Sequence, residues 1–169
     1  MNDLPRLNIR FINNYFAKGY SVEEIKNIEY LYNVNINPES QFYSFLYYYG
    51  RTSTLAFLDN PFLFYKAEMH LREHIIFQYE TTDKLRAIQY YETFSKKGFF
   101  ISCEESKEYF FILTDSYDCN SVYCYDACSS MVINTGLTLE GYILSVINKY
   151  ELLEKNIFQE YLQGDIISI

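Results

Sequence analysis

Four short runs of aromatic and β-branched residues constrain the fold of this chain more than any other feature. They are GFFIS, EYFFILT, SVYCYD and SMVINT, and they lie between residues 98 and 135. The first three are separated by polar connections of hairpin length, CEESKE and DSYDCN. Short segments of this kind pair with their neighbours along the chain, so the pattern predicts an antiparallel meander that ends at Gly136.

Alternation along the third run assigns its side chains to opposite faces of the sheet. Val122, Cys124 and Asp126 share one face, and Tyr123 and Tyr125 share the other. The sequence leaves open which of the two faces is exposed.

The segments before the strands carry helical signals. Ser21 and Glu24 have the spacing of a capping box, which predicts that a helix begins there. Its apolar stripe is Val22, Ile25, Ile28 and Tyr32.

A second helix is expected over PESQFYSFLYYYG, with Pro38 in its first turn and Gly50 as a left-handed C-cap. The i, i+3, i+4, i+7 spacing predicts that one face of it is buried. The residues on that face are Phe42, Phe45, Leu46 and Tyr49.

The rest of the chain adds further helices. TLAFL at 54–58 fits a short strand, and one or two helices are expected across 62–79 and 82–95. Thr138 is a candidate N-cap for a helix after the strands, and the tail from residue 156 fits a short helix followed by strand or coil. The apolar stripe of the helix after Thr138 is Leu139, Tyr142, Ile143, Val146 and Tyr150.

Helices followed by strands and then helices predict an α+β fold. We expect an antiparallel β-meander sheet of about four to six strands, packed on one face by the N- and C-terminal helices. The 169 residues, 49% of them hydrophobic, fit one domain over 1–169 that needs neither disulfide nor metal to fold.

The charge balance narrows the class of partner. Fourteen Lys and Arg against 22 Asp and Glu give a net charge of −8, which disfavours direct binding to nucleic acid and favours a basic protein. No cleavable leader and no apolar run of membrane-spanning length is visible, so a cytoplasmic location without membrane contact is expected.

Three of the four cysteines, Cys119, Cys124 and Cys128, raise the question of a metal site, a disulfide or ordinary thiols. Structural zinc sites place paired cysteines on tight turns, whereas Cys124 lies within a predicted strand. We therefore predict reduced thiols, with no metal and no cofactor.

Catalytic signatures are sparse. His70 and His74 in HLREH match the inverted zinc-protease motif H-x-x-E-H, but a single five-residue match is weakly specific. The sequence contains no nucleophile elbow, Walker loop or dinucleotide fingerprint. We predict a protein that is not an enzyme. The alternative is a metal-dependent protein built on the histidine pair and the cysteines.

Three segments together resemble the SUKH superfamily, which includes bacterial immunity proteins and the yeast Smi/Knr cell-wall regulator. They are INPESQFYSFLYYYG (36–50), FFISCEESKEYFFILTDSYDCNSVYCYD (99–126) and VINTGLTLEGYILSVI (132–147). The resemblance covers about residues 21–150. The chain departs from the family pattern in having no tryptophan and in having INP where members have LP before the second helix.

The resemblance implies a non-enzymatic immunity protein that binds and neutralises a cognate bacterial toxin, with a nuclease or deaminase as the expected basic partner. The alternative is a regulatory or scaffold domain of the Smi/Knr type. A monomer or weak dimer is expected. Loop position, exposure and charge, rather than the family pattern, suggest the partner-binding residues, which are Glu104, Glu105, Asp115, Tyr117, Asp118, Tyr123 and Tyr125.

Overall fold

The computed structural model describes residues 19–50, 71–86, 98–104 and 107–153. The helices in these ranges are α1 (Val22–Tyr32), α2 (Gln41–Tyr49), α3 (Leu71–Arg86) and α4 (Leu139–Leu153). The strands are β1 (Gly98–Glu104), β2 (Glu108–Leu113), β3 (Ser121–Asp126) and β4 (Met131–Thr138). The predicted strand at 54–58, the helical region at 87–95 and the tail lie outside the described residues.

The capping box of α1 is confirmed. The Ser21 amide donates to Glu24 Oε2 at 2.8 Å, and the Glu24 amide donates to Ser21 Oγ at 3.2 Å. Ile25 and Ile28 are buried as the spacing predicts, whereas Val22 remains 48% exposed. Two donors of the first helical turn are therefore satisfied by residues three positions apart, which is why this start is visible in the sequence.

Helix α2 begins three residues later than predicted. Its N-cap is Ser40, whose Oγ accepts from the Tyr43 amide at 3.0 Å, and Pro38 lies in the preceding turn. The prediction that Pro38 opens the helix is wrong, because a serine hydroxyl can accept from the helix terminus and proline offers no such acceptor. The predicted apolar face is confirmed, since Phe42, Phe45 and Leu46 are at most 2% exposed.

Gly50 ends α2 for a reason different from the one predicted. Its φ of −63° and ψ of −27° are right-handed, so the expected left-handed C-cap is wrong. A Cβ at this position would lie 2.8 Å from both the Leu46 oxygen and the Tyr20 ring. Glycine is needed here because the chain and a side chain approach closely, not because of the backbone angles.

Helix α3 runs without interruption from Leu71 to Arg86, so the described part of the region where one or two helices were expected is a single helix. A second helix would have required a break near residues 79–82, where instead the Thr81 and Thr82 hydroxyls donate to the carbonyls of Phe77 and Gln78 at 2.8 and 2.7 Å. Each bond joins a threonine to the residue four positions earlier, so both side chains adapt to the helix instead of ending it.

The sheet is the predicted antiparallel meander, with strand order β1-β2-β3-β4. Bulges interrupt the register between Phe100 and Ser102 and between Ser121 and Tyr123. Strand β4 continues through Gly136, whose φ is +73°, and ends at Thr138. Thr138 caps α4 as predicted, because its Oγ1 accepts from the Gly141 amide at 3.2 Å.

One face of the sheet, here called the α4 face, packs against α1, α2 and α4. The Phe99 ring lies 5.2 Å from Tyr32 and 5.1 Å from Phe42, and the Phe110 ring lies 4.8 Å from Tyr142. The buried residues joined in this cluster include Ile25, Ile28, Phe45, Leu46, Ile112, Val122, Leu139, Ile143 and Val146. The prediction of N- and C-terminal helices packed on one face is confirmed.

The opposite face, here called the α3 face, also carries a helix. Leu85 of α3 clusters there with Phe100, Phe111 and Tyr125, and the Phe77 ring lies 6.2 Å from Phe100. The prediction that helices cover only one face is therefore incomplete. The strands present large apolar side chains on both sides, and the second set is buried only if a helix also packs there.

Candidate partner-binding surface

The predicted partner-binding residues lie at opposite ends of the sheet. Glu104 ends β1 beside the β1–β2 turn, whereas Asp115, Tyr117 and Asp118 lie in the β2–β3 loop. The six residues of β2 separate these ends, a distance of about 20 Å at the usual rise of a strand. Glu105 lies outside the described residues. Glu104 and the β2–β3 loop therefore belong to two separate surfaces.

The base of the β2–β3 loop is fixed by Asn120. Its Oδ1 accepts from the Gln41 amide at the start of α2, and its carbonyl accepts from the Leu139 amide at the start of α4, both at 2.8 Å. The Gln41 side chain in turn accepts from the Glu140 amide at 3.0 Å. Three elements thus share one network of hydrogen bonds, and this network holds the loop in place.

The tip of the β2–β3 loop presents the most exposed aromatic side chain described. Tyr117 is 105% exposed relative to its reference state, and Asp115 and Asp118 beside it are also exposed. Asp118 is held in place, because its Oδ2 accepts from Ser121 Oγ at 2.6 Å and its amide donates to Ser116 Oγ at 3.2 Å. A tyrosine between two carboxylates is therefore displayed on an ordered loop.

The two predicted β3 tyrosines differ in accessibility. Tyr125 is only 6% exposed and its ring stacks on Tyr109 with centroids 5.9 Å apart, so it belongs to the core of the α3 face. Tyr123 is half-buried and stacks on Phe111 at 5.6 Å. Burial, followed by the negative charge of Asp118, raises the pKa of Tyr123. Of the two, Tyr123 belongs to the surface of the β2–β3 loop and Tyr125 does not.

Three carboxylates form a row at the other end of the sheet, and of these only Glu104 is among the predicted partner-binding residues. Glu104 pairs with Glu108 across β1 and β2, and Glu108 pairs with Asp126 across β2 and β3. We call this set the carboxylate row. Only the strand register reveals it, because the three residues are spread over 23 positions of sequence.

Hydrogen bonds stabilise the ionised form of Asp126. The Ser129 hydroxyl donates to its Oδ2 at 2.6 Å, and the Cys128 amide donates to its Oδ1 at 2.8 Å. These bonds, that of Ser129 first, lower the pKa of Asp126. The carboxylate row thus includes an acid that keeps its charge well into the acidic range.

The Cys124 thiol is kept neutral by its surroundings. Burial, followed by the charges of Glu108, Asp126 and Glu104, raises its pKa to about 11. A thiol, unlike a thiolate, is a poor nucleophile and a poor metal ligand. Cys124, the middle one of the three neighbouring cysteines, is therefore a weak nucleophile near neutral pH.

The four cysteines all lie in the described ranges, where no disulfide joins any two of them, and they are dispersed. Cys119 is buried at the base of the β2–β3 loop, where its Sγ lies 3.9 Å from the side-chain Nδ2 of Asn37. Cys128 is exposed in the β3–β4 turn. Cys103 packs on the α3 face. Across the described ranges, no three side chains of His, Cys, Asp or Glu converge as metal ligands. His70 and the side chain of His74 lie outside what the structure describes.

The β4 strand exposes apolar side chains along an edge of the sheet. Met131 is 50% exposed, Ile133 is 53% exposed and Leu137 is 38% exposed. The strand sequence MVINTGLT contains no charged residue. This edge runs from the carboxylate row, where Met131 pairs with Asp126, to the β2–β3 loop, where Thr138 pairs with Ser121.

Comparisons with protein-family models, with curated proteins and with solved structures gave no match. Within the ranges that the structure covers, no helix has the length and apolar character needed to cross a membrane.

Proposed function

We propose that this chain is an immunity protein that binds and neutralises a cognate bacterial toxin, a basic nuclease or deaminase, in the cytoplasm. It acts by occupying the toxin and not by catalysis. The resemblance of residues 21–150 to the SUKH superfamily supports this proposal, as does the acidic composition.

The observation that carries the proposal is the display of Tyr117. A fully exposed tyrosine has a large apolar ring in water, and the anchoring of the loop through Asn120 lowers the entropy that binding would otherwise cost. Tyrosine is frequent among residues that dominate binding energy, because it combines a large contact area with a polar tip. The side chain therefore suits burial in a pocket of a partner protein.

The charges around Tyr117 favour a basic partner. Asp115 and Asp118 flank the ring, and the chain carries a net charge of −8. Enzymes that act on nucleic acid need a basic surface for the phosphate backbone. An acidic inhibitor would be steered to that same surface and would cover it.

The test is co-expression with the product of the adjacent gene, scored by survival of the host cells. The native chain is expected to protect. Tyr117→Ala is expected to weaken binding of the purified toxin tenfold or more, because it removes the anchor. Tyr30→Ala is the matched control, since Tyr30 is 86% exposed and belongs to α1 instead of the β2–β3 loop.

Two outcomes would contradict the proposal. Equal survival of host cells with and without this chain would contradict the immunity role. Recovery of a cell-wall or regulatory protein, with no toxin bound, would favour the scaffold role of the Smi/Knr type.

A further inference from the structure

The two edge strands of the described sheet differ in what covers their outer side. The outer side of β1 is occupied by a side chain of α3. The Gln78 side chain of α3 donates to the Phe100 carbonyl at 2.7 Å and accepts from the Phe100 amide at 2.9 Å. Gln78 is buried, so a side-chain amide occupies the place where another strand would pair. Proteins commonly block edge strands in this way to prevent unwanted pairing.

Alternation across the sheet identifies the backbone groups that point outward on β4. Phe100 directs its amide and carbonyl away from β2, and the Val122 carbonyl points toward β4, where it accepts from Thr135 Oγ1 at 2.7 Å. Successive residues of an antiparallel strand direct their amide and carbonyl groups alternately to one neighbour and to the other. Cys124, two residues after Val122, therefore also bonds toward β4, where it pairs with Ile133. The residues on either side of Ile133, Val132 and Asn134, direct their backbone groups to the outer edge.

The protection that the described residues give the β4 edge is one bulge, opposite Ser121 and Tyr123, and it leaves Met131–Asn134 in regular register with β3. Within the described residues no strand pairs with the β4 edge, and the eight residues of β4 include neither a charge nor a proline. Met131 and Ile133 are about half exposed on the α4 face. An uncharged edge segment with exposed apolar side chains is a template for another strand.

We infer that the outer edge of β4 pairs with an extended, cationic segment of a partner protein. The inference rests on the proposed function and assigns the mode by which the toxin is held. Charge complementarity selects this occupant over a second copy of the chain. Asp126, the member of the carboxylate row next to β4, pairs with Met131 at one end of the edge, and Asp118 lies in the loop at the other end. A second copy would bring like charges together.

The test uses amide hydrogen exchange of the whole chain, measured by NMR at Val132 and Asn134. The probe is an eight-residue synthetic peptide that alternates lysine and valine, at millimolar concentration. A second peptide, N-methylated at every residue, keeps the charge and loses the strand donors on both of its edges. The first is expected to slow exchange of both amides tenfold or more, and the second is expected to leave it unchanged.

Variants at Val132 separate backbone pairing from side-chain contact. Val132→Pro removes an outward donor without removing a bond to β3, and it should weaken peptide binding tenfold or more. Val132→Ala shortens the same side chain and keeps the donor, so it should weaken binding less than about threefold. If Val132→Pro does not fold, the exchange of the native chain remains the deciding measurement.

Three outcomes would overturn the inference. Unchanged exchange with the unmethylated peptide would show that the edge does not pair. Amides already protected in dilute, peptide-free protein would point to a segment of the same chain. Protection that rises with protein concentration would point to a second copy.

The peptide experiment is independent of toxin identity, so it can succeed even where co-expression fails. If co-expression protects cells but Val132 and Asn134 still exchange freely in the purified toxin complex, only the edge-pairing inference fails.

Discussion

Glycine at position 19 and glycine at position 141 respond in opposite ways to one added methyl group. A Cβ on Gly19 would lie 1.7 Å from the Tyr47 carbonyl oxygen, because the adjacent Tyr20 amide donates to Leu46 in α2 at 2.9 Å. A Cβ on Gly141 would meet its nearest neighbour at 3.5 Å, an ordinary contact in the first turn of α4. The distance from the added Cβ to the nearest atoms therefore decides whether the substitution destabilises the protein.

Gly19→Ala should therefore destabilise the protein by about 1–3 kcal/mol, because the backbone of α2 must shift. Gly141→Ala should stabilise it by about 0.5–1 kcal/mol, because alanine has the higher helix propensity. Urea unfolding of both variants measures the two free energies. Equal effects of the same sign would show that the close approach at Gly19 is absent in solution.

The titration of Asp126 tests the turn that closes the carboxylate row. Its pKa in the folded state is lowered, so its contribution to stability is present above the unfolded value of about 3.9 and is lost as the pH falls through the folded value. Ser129→Ala should raise the Asp126 pKa, because the largest stabilising hydrogen bond is removed. Carbon NMR of the carboxyl group measures this shift.

Ser121→Ala is the matched control for that titration. Its hydroxyl donates to Asp118 and not to Asp126, so the Asp126 pKa should stay as in the native protein. An Asp126 pKa that is unchanged in Ser129→Ala would assign the effect to the backbone amides instead.

At the scale of elements, Gln78 links α3 to the edge of β1. Gln78→Leu should destabilise the protein by about 2–4 kcal/mol at every pH, because the Phe100 amide and carbonyl both lose a buried partner. Gln78→Glu keeps an acceptor for the amide, but only the protonated form of the new carboxyl can donate to the carbonyl. The folded pKa of that carboxyl should therefore lie above the unfolded value of about 4.3.

The two variants should differ in how their stability depends on pH. In Gln78→Glu, the stability gained from the protonated carboxyl is present below the unfolded pKa and is lost as the pH rises through the folded pKa. The deficit of Gln78→Glu relative to the native protein should shrink in acid, while that of Gln78→Leu should not. Denaturant unfolding at acidic and neutral pH gives both values. Parallel curves would mean that the glutamine does not donate to Phe100.

For the molecule as a whole, the placement of charge should govern association more than its total. Asp115→Lys with Asp118→Lys raises the net charge of −8 by four units, as does Glu80→Lys with Asp83→Lys on α3. The loop pair should slow association with the basic partner on the order of tenfold at low salt, whereas the α3 pair should slow it less than about threefold. Rapid-mixing kinetics over a range of salt concentration checks this.

Equal slowing by the two pairs would mean that steering follows net charge alone. An unchanged rate in the loop pair, with unchanged salt dependence, would place the docking surface away from Tyr117. The same comparison with Glu104→Lys and Glu108→Lys tests the carboxylate row separately, because it lies at the opposite end of β2.

Features that depend on a few neighbouring residues could be predicted from the sequence. The capping box of Ser21 and Glu24, the cap at Thr138 and the opposite faces of Val122 and Tyr125 are all confirmed. Each follows from helix or strand geometry over two to four positions, and no distant contact changes it. The exposure of Tyr117 in a hairpin loop was also predictable for this reason.

Features that depend on distant parts of the chain were decided by the tertiary structure. The burial of Tyr125 follows from α3 packing on the second face, and the need for glycine at position 50 follows from Tyr20. The carboxylate row and the outward backbone groups of β4 follow from strand register. A shift of one residue would move every side chain to the other face, so register is set by turns, bulges and burial together and is not contained in any single segment.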